Sequence, residues 1–357
     1  MRHSTHVPTR QLISILGVAL LSLAVHAAEA EKPAAPFLLT TLQALDAADC
    51  RTKALDAEKA EDSPAALTAW ERVIDRCPST EEQRLEARAH IKQLRPKVPR
   101  NGDPQQARPW KVLVAIFRQL DFSWTDDKQN KIEVSKTVSD ADEKKIRKSL
   151  ECFGQHVFKF SSGRLRIDPD IVVITEPLTK LAGKDKGPFT PAPHVLRPAL
   201  EPLLKDKSYD TVIAYVKYNA DKGPDVPAPF TAATFGSVRE ANGAGFIMVP
   251  WHTNYPYPGE TDGEMELHEW LHQIQWMFHN VLHYPDPLLQ TPDAGRFEGE
   301  NRPGGDTEYG RRKDETTWIR FYQHIMEDHY TRQMWSEATM HPAPGQALPG
   351  DVLKVKK

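Results

Sequence analysis

The apolar positions of this chain change their period several times, and each change marks an element. Residues 40–94 carry helical spacing throughout. Leu42, Leu45 and Ala48 open a first helix, and a turn near Glu61-Asp62 folds a second back against it. Ser63 is read as the cap of that second helix and Pro64 as its first helical residue, with Leu67, Trp70, Val73 and Ile74 on one face. A third helix opens at Pro78-Ser79-Thr80-Glu81 and points Leu85, Ala89 and Ile91 inward. Residues 95–104 are rich in Pro and charge and read as a linker. The texture then alternates: a buried-strand run at 112–117 is followed by a helix capped by Ser139, with Ile146, Leu150, Phe153 and Val157 in one stripe. A strand at 164–174, broken at Pro169, a helix at 195–204 and a β-rich strand at 211–216 come next. Residues 243–251 read as a short edge strand closed by proline, able to hold an extended peptide by main-chain hydrogen bonds.

The next helical pattern carries the chemistry. Thr261 and Glu264 are spaced as a capping box, and Leu267, Leu271, Ile274 and Phe278 form a core-facing stripe. His268 and His272 lie beside that stripe, one turn apart on one face, so both imidazoles can point at one metal ion. Tetrahedral zinc accepts such nitrogens at roughly 2.0–2.1 Å. Glu269 follows the first histidine and is rotated away from ligation, where a carboxylate can take a proton from a metal-bound water. After a Pro-, Gly- and acid-rich stretch at 284–313, Asp314 caps a last helix whose Trp318, Tyr322, Ile325 and His329 read as core packing.

Composition places limits on this picture. The 357 residues carry a formal net charge of −3 and no basic block, so nucleic acid is not expected as a partner. Arg2 and Arg10, the apolar run at 12–25 and Ala28-Glu29-Ala30 together read as a cleavable secretory signal over residues 1–30. The expected location is therefore periplasmic or extracellular, with no stable membrane span after cleavage. An oxidising compartment suits a Cys50–Cys77 disulfide across the helical hairpin, leaving Cys152 unpaired.

With His268-Glu269-x-x-His272 in hand, the chain resembles the zincin metallopeptidases, specifically over residues 261–279 and more loosely over 109–330. The metzincin continuation fails, because Gln275 and Phe278 stand where its glycine and third histidine belong. Asp306-Thr307-Glu308-Tyr309-Gly310 is similar to the second motif of the aspzincins, although Arg302-Pro303 replaces that family's preceding Gly-Thr. The resemblance implies Asp306 as third zinc ligand and Tyr309 as a donor to the oxyanion; Glu298, Glu300, Glu308, Glu315, His279 and His283 stay open as alternative ligands. Residues 65–70 resemble a single tetratricopeptide unit, which suggests a protein partner for the N-terminal helices.

The expectation is an α+β protein: a signal at 1–30, a small all-α domain at 31–94, a linker at 95–108, a zincin-like domain with a mixed sheet at 109–340, and a tail at 341–357. The expected activity is zinc-dependent hydrolysis of peptide bonds in a peptide or protein substrate, with Glu269 as general base. The alternatives are a zinc hydrolase of another amide or ester, and a zincin-like binding protein of weak activity.

Overall fold

The computed structural model describes residues 47–75, 79–99, 102–183, 187, 189–205, 208–218, 224–227, 233–234, 243–251, 263–282, 284 and 317–341. Chain contacts divide at Ala44–Leu45; the first unit lies outside the described residues, and every element below belongs to the second. The molecule is a mixed α/β structure, with N-terminal helices, then a parallel four-strand sheet with helices, and a small antiparallel hairpin.

Helices α1 (Ala47–Lys59), α2 (Ser63–Asp75) and α3 (Glu81–Leu94) enclose their own apolar cluster around Leu67, Trp70, Ile74 and Ile91. The turn at Glu61 is left-handed, with φ 58°, but the cap of α2 is Asp62 rather than Ser63: its carboxylate accepts from the Ala65 amide at 3.1 Å. Thr80 and Gln83 form a reciprocal capping box at α3. The inward face of α3 is Ala87, Ile91 and Leu94; Leu85 and Ala89 lie on the solvent side. Cys50 is buried in this cluster, whereas its expected partner Cys77 falls outside the described residues.

The segment after α3 is not a solvated linker at its start. Arg95 is 6% exposed, and its Nη2 donates to Glu71 of α2 at 3.2 Å. Glu71 also accepts from the Arg332 amide at 3.0 Å and from Arg332 Nε at 2.9 Å, while Thr331 Oγ1 donates to Asp75 at 2.6 Å. Composition alone could not show this, because the carboxylate that compensates Arg95 comes from another helix, α2.

The sheet contains β1 (Arg108–Phe117), β4 (Leu165–Ile174), β5 (Thr211–Lys217), β6 (Ala233–Thr234) and β7 (Gly245–Trp251), in the order β4-β1-β5-β7-β6. All neighbours are parallel except β6, which pairs antiparallel with Ile247 and Met248. β7 is therefore interior where β6 covers it, and not the edge strand its closing proline suggested. β4 runs through Pro169 unbroken, which an outer strand permits because the missing N–H need not serve a ladder on both sides. Strand β1 alternates between two cores: Val112, Val114 and Ile116 face one, Leu113, Ala115 and Phe117 the other. The second core is closed by α5 (Pro193–Leu204) and the hairpin of β2 (Gln119–Thr125) and β3 (Lys131–Thr137). That hairpin, not anticipated above, had a signal in the alternation of Leu120, Phe122 and Trp124 against Ile132 and Val134.

The first core is closed by α4 (Asp140–Phe160), and its start is tied to the sheet by a carboxylate. Asp142 completes the capping box with Ser139 and also accepts from Lys217 Nζ of β5 at 2.8 Å and Trp251 Nε1 of β7 at 3.1 Å. Burial alone would raise this carboxyl; the hydrogen bonds from Lys217, Ser139 and Trp251 outweigh it and hold the group far below the ordinary carboxylate range. A depressed folded-state pKa adds stability above the unfolded value, near pH 4, and loses it as pH falls further. Asp142→Asn, which strands the buried Lys217 cation, is expected to cost about 3–5 kcal/mol in urea denaturation at pH 7. The gap from wild type should narrow as pH falls below about 4; a gap independent of pH would refute the linkage.

Candidate metal centre

The helix carrying the two histidines, α6 (Glu264–Asn280), lies across the first core with Leu267, Trp270, Leu271, Ile274, Met277 and Phe278 fully buried. Its start differs from the expected capping box. The cap is Gly263, with φ 79° and no side-chain hydrogen bond, and Thr261 lies outside the described residues. Glycine is required there by close approach: a Cβ would stand 2.3 Å from the Phe153 backbone nitrogen of α4.

Two polar side chains then pin α6 to the sheet. Glu266 is 1% exposed and accepts from the Tyr215 hydroxyl of β5 and, at 2.9 Å, from Ser149 Oγ of α4. Burial raises its carboxyl above the usual range against the pull of these donors, and burial beside Glu266 also raises the Tyr215 phenol. Seven residues later Gln273 donates to the Asp210 carbonyl at 2.7 Å and accepts from Thr211 Oγ1 at 2.8 Å, and Thr211 in turn accepts from Trp110 Nε1 at 2.8 Å. The strand glycine below makes room: a Cβ on Gly245 would meet Gln273 Nε2 at 2.1 Å.

Positions 266 and 273 are about 20° apart around the helix, and 268 and 272 are turned away from 266 by about 200° and 240°. The pins therefore aim the histidines off the sheet. The His268 and His272 rings lie 5.0 Å apart with planes crossing at 74°. His268 is one-fifth exposed, and Glu269, 7% exposed, brings Oε1 to 3.9 Å from His268 Nε2. The other nitrogen of His268, Nδ1, is 2.7 Å from the hydroxyl of Tyr322 on α7 (Thr317–His324). Tyr322 is 1% exposed, and its ring meets His268 edge-on at 5.5 Å. Sequence reasoning assigned Tyr322 to core packing; nothing in a helical aromatic stripe separates a buried tyrosine that holds a histidine from one that only fills space. Below α7 a π-turn (Ile325–His329) leads to α8 (Arg332–Glu337), whose Trp335 stacks on Trp270 of α6 at 6.0 Å.

The donor set fits zinc as far as it is described. Two imidazoles share one helix face, one of them has its second nitrogen held by a hydroxyl as metal-ligating histidines require, and a carboxylate stands beside them. Among the described residues no third His, Cys, Asp or Glu joins the pair. His279 is exposed in the last turn of α6, about 16 Å along the axis from His268. Asp306, Tyr309, Glu298, Glu300, Glu308, Glu315 and His283 all lie outside the described residues. No described helix is long and apolar enough to cross a membrane. Comparison with known protein families, curated proteins and solved structures finds no match to this chain.

Gly263→Ala tests the seating of α6. It adds a left-handed alanine and drives a Cβ into backbone that cannot rotate away, so a loss of about 2 kcal/mol or more is expected in urea denaturation. Gly102→Ala, where a Cβ meets nothing within 4 Å, should leave the midpoint unchanged. Equal midpoints for the two variants would refute the close-packed start.

Proposed function

We propose that this protein is an exported zinc-dependent hydrolase with a zincin-like catalytic domain, acting on peptide bonds. The observation that carries the reading is the convergence of His268, Glu269, His272 and Tyr322 on one side of a helix pinned from the other. His268 and His272 would hold the metal, and the resemblance adds Asp306 as third ligand. Zinc bound there supplies Lewis-acid polarisation of a carbonyl and lowers the pKa of a bound water towards about 7.

The chain's own groups account for the rest. With its Nδ1–H donating to the Tyr322 oxygen, His268 would be left to hold the metal through Nε2, and the tyrosine would select that tautomer and fix the ring. Glu269, whose Oε1 stands 3.9 Å from His268 Nε2, would accept a proton from the attacking water and return it to the departing amine. Tyr309 would donate to the oxygen on which negative charge develops.

Metal analysis of the purified protein tests the reading. One zinc per chain is expected in wild type and in Glu269→Gln, and none in His272→Ala. Glu269→Gln should lower peptidase turnover by roughly 10²–10⁴ while keeping the metal. Metal-free wild type, or full activity in Glu269→Gln, would overturn it; cleavage of esters but no peptide would move the substrate class. Tyr322→Phe keeps the ring and removes the acceptor, and should weaken zinc affinity about 10–100-fold in a competition titration. Unchanged affinity would return Tyr322 to packing alone.

A further inference from the structure

Away from α6, a cleft of about 390 Å³ opens between α2, α8 and the turn leading into β4. Its walls carry three guanidinium groups, Arg72, Arg164 and Arg332, and two carboxylates, Glu71 and Asp75. Glu71 accepts from Arg332 and Arg95, and Asp75 accepts from the Thr331 hydroxyl through Oδ2. Arg332 is committed in the same way, with Nε on Glu71 and Nη2 on Thr68 Oγ1 at 3.1 Å. Arg72 and Arg164 differ. Both are exposed, and among the described residues neither guanidinium has a hydrogen bond or ion pair. The cleft is thus lined by three guanidinium groups against two carboxylates, with Arg72 and Arg164 standing outside the Glu71–Arg332 pairing.

We propose that this cleft is a binding site for a small organic oxyanion, a carboxylate or phosphate held by Arg72 and Arg164. Guanidinium forks match the two oxygens of either group and bind them in pairs of parallel hydrogen bonds. The volume is that of a small-molecule site rather than of a single ion. Because Arg72 lies on α2 and Arg164 in the turn before β4, a ligand here also ties these two segments together, and its binding raises the stability of the folded protein. The site shares no residue with the metal centre.

Isothermal titration of the full-length mature protein with succinate and with glycerol 3-phosphate tests the proposal, with glycerol as the uncharged control. Saturable binding of one charged probe is expected, and which one binds identifies the source as carboxylate or phosphate. Arg72→Ala and Arg164→Ala should each weaken it about tenfold or more. The surface variant Arg197→Ala should not change it. His272→Ala should bind as wild type does, which separates this site from the zinc reading. Both positions are exposed, so circular dichroism of the two variants should match wild type. Absence of saturation by either charged probe below about 10 mM, equal binding of glycerol, or undiminished affinity in the double arginine variant would overturn the proposal.

Discussion

The helix of the candidate centre depends on polar contacts made on the side away from its histidines. An α-helix lying on a parallel sheet through Leu, Ile and Phe alone could slide or roll by a fraction of a turn at little cost, since apolar contact is non-directional. Glu266 and Gln273 remove that freedom. One reaches Tyr215 and Ser149, the other Thr211 and the Asp210 carbonyl, and both bonds exist only in one register. A buried carboxyl and a buried amide are costly when unsatisfied, so a shifted helix would lose both sets at once. The rotation that remains permitted is the one that turns His268 and His272 off the sheet and towards Tyr322.

This division of labour explains which parts could be read in advance. The pair His268 and His272, with Glu269 between them, was legible because helix geometry relates residues four apart without help from the rest of the chain. The three N-terminal helices, α4, α5 and the strand runs were legible for the same local reason. Strand order was not: that β1 lies between β4 and β5, and that β7 has β6 beyond it, follows from pairings across scores of residues. Glu266 and Gln273 flank the His268-Glu269-x-x-His272 motif, and two polar residues seven apart on an otherwise apolar face are a signal of a buried hydrogen-bonded network. Tyr322 lies 54 positions from His268, and only the fold brings them together. The aspartate and tyrosine expected at 306 and 309 fall outside the described residues, so their assignment rests on resemblance.

The buried charges follow one rule. Asp142 with Lys217, and Glu71 with Arg95 and Arg332, join separate elements, and each carboxylate meets several donors. Such groups add little net stability over apolar replacements, but they penalise any arrangement in which one partner is missing. In this chain they stand at the start of α4 and at the contact of α2 with α8, where apolar packing alone leaves orientation open.

That second contact has a kinetic side. Arg332 and Glu71 are 261 positions apart, so their pairing closes a loop containing every strand of the sheet. Loop-closure entropy makes so distant a contact unfavourable until the intervening chain is compact. The seam between α2 and α8 is then a late event in folding, one that a growing chain cannot complete until α8 has been made.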